Sequence, residues 1–207
     1  PDKLRQQVPL FQEDQVVASC SDYWLQFETH VTGRAKPFRR LFRTHGRDIS
    51  SPIQLAEDNR IGFSSLVIRA SAARRVIPNP PPGYSYVEDL DMNVRLTKVG
   101  VIRPLETPLM VYRVHGRNHS NQINAALHEI EHWVDNLEDL GIPERDVQGV
   151  TRAMIERSKK LRLRAHLLKG ERAAALAEGR KLEGWRPKVK AMVASLLPQR
   201  LINRFAR

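Results

Sequence analysis

Apolar and polar positions alternate in short runs along the first 115 residues, and this pattern predicts strands separated by short helices. The basic, irregular stretch Arg34–Arg47 predicts a surface loop. Strands and helices that follow one another in this way predict an α/β fold. The predicted strands are Val16–Ser19, Tyr23–Glu28, Ile61–Arg69, Val101–Arg103 and Pro108–Val114.

Two helices are predicted within this α/β part. The first, Ala70–Val76, ends before a proline, which cannot continue a helix. Ser85 and Glu88 have the spacing of a capping box, so the second helix is predicted to begin there and to run to Val99. This places Glu88 and Asp89 in its first turn.

Beyond residue 120 the apolar positions recur at steps of three and four, which is the helical period. Amphipathic helices are predicted on both sides of Gly141–Pro143, and another over Glu171–Leu182. The last apolar stripe is either the docking face of a helix on its own domain or the face of a helix that lies on an anionic leaflet. This stripe contains Val189, Met192, Val193, Leu196 and Leu197, among lysines and arginines.

Length and composition are those of a globular protein, with 207 residues of which 41% are hydrophobic and 28% charged. These values exclude wholesale disorder. No apolar run reaches the roughly 18 residues of a membrane span, and the start at Pro1 lacks the apolar segment of a signal peptide. The single cysteine, Cys20, has no partner for an internal disulfide, so a reducing compartment is expected.

The net charge of +11 is concentrated near the end of the sequence, because residues 157–207 carry 15 basic and 3 acidic side chains. Such a segment favours phosphate-rich partners. The basic cluster at 157–164 has no interleaved aromatic residues for base stacking, so no nucleic acid is expected. A non-enzymatic basic module that binds nucleic acid or a membrane is kept as an alternative function. An anionic membrane surface, contacted by residues 186–207, is the alternative partner.

One constellation of residues suggests chemistry. Val87–Leu96 begins with the acidic pair Glu88-Asp89 and ends with Arg-Leu, and a glycine follows at position 100. Glu106–His115 then contains Pro-Leu-Met-Val-Tyr-Arg-Val-His, with Asn118 and Ser120 just beyond. This arrangement resembles the C-terminal signature of family-2 glycosyltransferases of the GT-A fold. The resemblance extends back through Ile61–Arg75 and covers residues 1–121.

The resemblance implies a fold and a domain organisation. Residues 1–121 would form the C-terminal half of a GT-A mixed-sheet domain that lacks its nucleotide-binding half, and residues 122–207 a basic helical extension. In the family, an Asp-x-Asp at the end of a central strand holds a divalent metal on the donor diphosphate. Asp89-Leu90-Asp91 has that spacing but lies in the acceptor-side signature. The chain is therefore expected to be a fragment that is inactive alone.

The resemblance also implies roles for individual residues. Asp89 would be the general base of an inverting transfer, because a carboxylate must take the proton from the attacking hydroxyl, and Glu88 would orient the base or the acceptor. His115 would contact the metal or the diphosphate, and Arg113 would share its strand face. Further donor-side candidates are Arg117, Asn118 and Ser120; acceptor-side candidates are Ser64, Ser65, Arg69 and Asp91. Arg95 is expected to pair with Asp91 at i, i+4.

The implied partners are a UDP-, GDP- or dTDP-linked sugar and a saccharide or lipid-linked acceptor. Mg²⁺ or Mn²⁺ is the implied cofactor of the complete enzyme. The family often assembles surface polysaccharides, so the expected location is cytoplasmic, peripheral on the inner face of the membrane.

A competing motif is His128-Glu129-Ile130-Glu131-His132, which has the His-Glu-x-x-His spacing of zinc peptidases. The helical period places both histidines opposite the apolar stripe, on the solvated face. Since a catalytic zinc helix is normally buried in a cleft, the zinc metallopeptidase is kept only as an alternative.

Overall fold

The structure is a computed structural model that describes residues 2–28, 38–44, 46–76, 84–115, 122–138, 140–199 and 202. Four strands are present in these ranges: β1 (Val16–Phe27), β2 (Phe38–Phe42), β3 (Val67–Ile68) and β4 (Val101–Val114). The helices are α1 (Asp2–Gln7), α2 (Pro52–Glu57), α3 (Ala70–Val76), α4 (Glu88–Thr97), α5 (Ile123–Asp135), α6 (Glu144–Lys169), α7 (Arg172–Arg180) and α8 (Trp185–Leu196). Short 3-10 helices occupy Val8–Gln12 and Phe63–Ser65.

The strands form one mixed sheet around β1. β4 pairs with β1 in parallel along its whole length, from Val16↔Val101 to Phe27↔Val114. β2 and β3 pair with β1 in antiparallel fashion, β2 near the end of β1 and β3 near its start. The predicted α/β class is confirmed at this level.

The strands are longer than predicted. The two runs at the start of the predicted sheet merge into β1, and the two at its end merge into β4. β4 contains two prolines: Pro104 pairs in register with Cys20, and Pro108 lies where the register with β1 shifts. Between the pairs Ser21↔Leu105 and Tyr23↔Met110, β1 advances two residues and β4 five. Proline, which has no N–H to donate, is tolerated at such irregularities.

Two further strand predictions are corrected. The predicted loop Arg34–Arg47 contains β2, whose five residues pair with Tyr23–Phe27. The predicted strand Ile61–Arg69 is instead a 3-10 turn followed by the two-residue β3. Both errors concern short, partly exposed elements, where long-range pairing outweighs the local pattern.

The predicted helices are present. α3 has its predicted bounds, the ends of α4 are shifted, and α2 was not predicted at all. α2 begins with a capping box in which the Ser51 side chain accepts the N–H of Ile53 and Gln54 Oε1 accepts the N–H of Ser51. The capping box predicted for α4 is absent. Glu129 of α5 takes its place, because its carboxylate accepts the N–H groups of Ser85, Tyr86 and Val87.

One hydrophobic core joins the sheet to the helices that follow residue 121. Val17, Ala18 and Cys20 of β1 belong to the same buried cluster as Trp133 of α5 and Met154 of α6. The long helix α6 packs against α2. The segment after residue 121 thus shares its packing with the sheet.

Candidate active site at the start of α4

Asp89 lies in the first turn of α4, where it is half-buried beside the exposed Glu88. The Leu90 N–H donates to Asp89 Oδ1 at 2.6 Å. Glu129 holds the three N–H groups that precede the helix, so it fixes the backbone from which Asp89 projects. The start of a helix favours negative charge, which suits both carboxylates.

Burial raises the pKa of Asp89, because removal from water disfavours the charged form. The hydrogen bond from the Leu90 N–H and the positive charge of Arg157 act in the opposite direction. Arg157 belongs to α6, and burial lowers its own pKa while the charges of Asp89 and Asp58 raise it. Charges of opposite sign from α4, α6 and the end of α2 therefore lie within electrostatic range of one another.

An aromatic face of the sheet adjoins this charge cluster. Tyr23 is buried and stacks on Phe42 with ring centroids 4.9 Å apart. Burial raises the pKa of Tyr23, and the nearby Tyr112 and Asp89 add to this effect. Gly62 permits the close approach of its loop, since a Cβ there would lie 2.7 Å from Met110 Cε and 3.0 Å from the Tyr23 ring.

Arg113 lies on the other side of the sheet. Met110 and Val114 of β4 pack against the cluster of Tyr23, Leu25 and Phe27, and strand alternation places Tyr112 on that same face. Arg113 is then on the opposite face. His115 is partly buried and follows the end of β4, so alternation along the strand does not fix its direction.

Asp91, a predicted acceptor-side residue, is buried and bonded to protein groups. It is only 3% exposed. Arg95 Nε donates to Asp91 Oδ2 at 2.8 Å, which confirms the expected ion pair, and Trp133 Nε1 donates to Asp91 Oδ1 at 3.1 Å. Both oxygens are therefore occupied by protein groups, and Asp89 and Asp91 do not form a joint site.

Two other acceptor-side candidates also hold the fold together. Arg69 donates to the carbonyl oxygens of Val16, Phe11 and Glu13 at 2.6–3.2 Å. Ser65 is buried, and its carbonyl oxygen accepts from Gln7 Nε2 at 3.0 Å. These contacts fasten the start of the chain to the sheet. Ser64 is exposed, whereas Arg117, Asn118 and Ser120 lie outside the described residues.

The zinc-peptidase motif is on α5, and both of its histidines are exposed, as the helical period predicted. Its glutamate, Glu129, caps the start of α4. The His132 ring meets Tyr84 edge to face with centroids 5.7 Å apart. Within the described ranges, no three His, Cys, Asp or Glu side chains form a metal-binding group.

Sequence reasoning missed Tyr23, Arg60 and Arg157 as members of this region. Arg60 acts on the ionisation of Tyr23 and pairs with Asp58 at 2.6 Å. Tyr112 was part of the recognised motif but had no assigned role. No local signal marks Arg157, because it belongs to a basic run of α6 and only the tertiary fold brings it to Asp89.

The sequence matches no protein-family model, no curated protein and no solved structure. No helix within the described ranges is both long enough and apolar enough to cross a bilayer.

Proposed function

We propose that the region around Asp89 is the acceptor side of an inverting glycosyltransferase, with Asp89 as the general base. The observation that carries this proposal is the half-buried carboxylate of Asp89, whose pKa is raised by burial while Arg157 lies close enough to oppose the shift. A raised pKa makes a carboxylate a stronger base. The charge of Arg157 favours the ionised form that can accept a proton.

In the proposed reaction, Asp89 accepts the proton of an acceptor hydroxyl as its oxygen forms a bond to the anomeric carbon of the donor sugar. The bond between that carbon and the diphosphate oxygen breaks, and its electron pair leaves with the diphosphate. Attack from the face opposite the leaving group inverts the carbon. Glu88, exposed in the same turn, is placed to orient the acceptor.

A saccharide acceptor, free or lipid-linked, suits the surroundings of Asp89. Tyr112 is exposed on the face of Tyr23, and Phe63 is exposed next to Gly62, which abuts that face. Exposed aromatic rings offer apolar surfaces for sugar rings, and a carboxylate and a guanidinium beside them offer polar contacts.

The described residues do not fit a divalent metal at Asp89 and Asp91, because Arg95 and Trp133 occupy both oxygens of Asp91. We therefore assign Mg²⁺ or Mn²⁺ and the diphosphate of a UDP-, GDP- or dTDP-sugar to groups other than this pair. His115 remains the proposed contact to the donor side. The proposed setting is surface-polysaccharide assembly at the inner face of a membrane.

The test is Asp89→Asn in the protein expressed from its complete gene. Turnover of nucleotide sugars is expected to fall by about 10²–10⁴-fold, the usual contribution of a general base. Binding of donor and acceptor, measured by calorimetry, should stay within a few-fold. Arg157→Met should shift the acidic limb of the kcat/KM profile to higher pH, because the charge that lowers the pKa of Asp89 is gone.

Asp135→Asn is the matched control for loss of one carboxylate, since Asp135 is exposed on α5. It should retain turnover. Full activity of Asp89→Asn, or loss of donor binding together with activity, would contradict the assignment of Asp89 as the base.

A further inference from the structure

α8 exposes four large apolar side chains and buries two small side chains. Ala191 and Ser195 face the rest of the protein and are buried. On the opposite side of the helix, Val189, Met192, Val193 and Leu196 are exposed. These four residues are called the outer face of α8. The described part of the chain has ten exposed large hydrophobic residues, and four of them lie on this one face.

The inner face of α8 carries small side chains because the helix approaches α7 closely. A Cβ at Gly179 of α7 would lie 2.5 Å from the Cβ of Ala191. Near its end, Ala194 and Leu197 pack against a cluster of Leu167, Ala175 and Ile202. Val189, Met192, Val193 and Leu196 point away from these contacts and form a stripe about 100° wide on the outside.

Positive charges border the outer face on both sides. At about 100° per residue, Lys188 falls on one edge, and Arg186 and Lys190 fall on the other. All three are exposed. Residues 184–207 contain six lysines and arginines and no acidic residue. An apolar stripe with cationic borders is typical of helices that lie in a membrane interface, where the cations reach the phosphate level.

We propose that the outer face of α8 docks on the surface of an anionic lipid bilayer, with Val189, Met192, Val193 and Leu196 among the acyl chains. A second copy of the chain fits this face less well, because pairing two such faces brings two cationic borders together. Lipid phosphates have the complementary charge. This proposal does not depend on the proposed glycosyl transfer.

The experiment is co-sedimentation of the full chain with sucrose-loaded vesicles of phosphatidylcholine, with and without phosphatidylserine. Binding is expected only with phosphatidylserine present and should weaken as salt is added. Val193→Ser/Leu196→Ser should weaken it at least about 10-fold, because two exposed apolar side chains no longer enter the bilayer. Lys188→Gln/Lys190→Gln should weaken it roughly 25-fold, at about 1 kcal/mol for each cation near an anionic surface.

The chain offers matched controls for both double variants. Leu4→Ser/Val8→Ser removes two apolar side chains that are 58% and 55% exposed, against 50% and 73% for Val193 and Leu196. Arg74→Gln/Arg75→Gln removes two exposed cations elsewhere. Both controls should bind as the parent chain does, and circular dichroism should show all four variants folded.

Three results would overturn the proposal. The first is no binding to phosphatidylserine vesicles. The second is equal weakening by Leu4→Ser/Val8→Ser, which would mean that no particular face is used. The third is a dimer that Val193→Ser/Leu196→Ser dissociates in the absence of vesicle binding, which would assign the outer face to a second copy of the chain.

Discussion

Asp89 combines a partly desolvated charge with a nearby counter-charge, and this combination predicts how its ionisation affects stability. Because burial raises its folded-state pKa above the ordinary 3.8, the unfolded chain releases this proton at lower pH than the folded protein does. Stability therefore falls as the pH rises from the ordinary value to the raised one, and the penalty persists above that window.

Asp89→Asn removes this penalty, so the variant should be more stable than the parent chain at neutral pH. The difference in urea midpoint between Asp89→Asn and the parent chain should shrink as the pH is lowered toward about 4, because the Asp89 carboxyl of the parent chain becomes protonated. Asp135→Asn, on the exposed side of α5, should show no such trend. A variant less stable than the parent chain at neutral pH would mean that the attraction to Arg157 exceeds the cost of burial.

Glu129 gives a second prediction for a single residue, because its carboxylate caps the start of α4. Glu129→Ala leaves the N–H groups of Ser85, Tyr86 and Val87 without this acceptor and should lower the free energy of unfolding by about 1–2 kcal/mol. Urea denaturation measures the loss.

His128→Ala is the control for this variant, since it changes an exposed neighbour on the same helix and should cost under about 0.5 kcal/mol. Zinc-dependent stabilisation that disappears in both Glu129→Ala and His128→Ala would instead favour a metal site at the His-Glu-x-x-His motif.

The local sequence pattern was sufficient to predict those helices and strands that are long and amphipathic. It was insufficient where distant residues determine the element. The periodicity predicted α5 and α6, whose apolar stripes face the core. It missed the continuity of β4, because the register shift that accommodates Pro108 depends on pairing with β1. α2 was predictable, since Ser51-Pro52 and Gln54 form a capping-box sequence.

The apolar stripe of α8 is another case in which the local sequence pattern did not determine the packing. The sequence correctly predicted that Val189, Met192, Val193 and Leu196 share one face, but Leu197, predicted in the same stripe, packs inward. The sequence also left open whether the shared face is buried. In the structure, the contact between Gly179 of α7 and Ala191 of α8 buries the opposite side of α8 and leaves this face exposed. The two residues lie in different helices, so no local sequence pattern indicates their contact.

The close contact between α7 and α8 predicts a strong effect of one methyl group. Gly179→Ala places a Cβ 2.5 Å from the Cβ of Ala191, and neither atom belongs to a flexible side chain. α8 must shift outward, at a cost of about 1–3 kcal/mol for overpacking. Ala173→Ser, exposed on the same helix, should be nearly neutral. Unchanged thermal stability of Gly179→Ala would mean that α8 is not held at this distance.

At the scale of the molecule, the candidate site draws on both parts of the chain. Asp89 comes from residues 1–121, whereas Glu129 and Arg157 come from the helices that follow. The sequence pattern made Asp89 a candidate because its motif is contiguous. It could not identify the other two, because nothing in α5 or α6 indicates which residues face α4. A site assembled from both parts requires that they fold together.

Met154 and Cys20 offer a test of whether residues 1–121 and the helices that follow fold together. Met154 of α6 and Cys20 of β1 are both fully buried in one core, although residue 121 lies between them in the sequence. Met154→Ala should lower the free energy of unfolding by about 2–5 kcal/mol through the cavity it leaves.

If the core unfolds as one unit, the Cys20 thiol of this variant should become reactive toward a thiol reagent at a correspondingly lower urea concentration. The loss of helix, measured by circular dichroism, should occur at the same urea concentration. The exposed Ile155→Ala is the control and should leave both transitions in place. The contrary result would be a Cys20 transition that stays at the parent urea concentration while the helical signal shifts. It would show that residues 1–121 unfold independently of α6. The position of Arg157 near Asp89 would then depend only on the docking of α6 against residues 1–121.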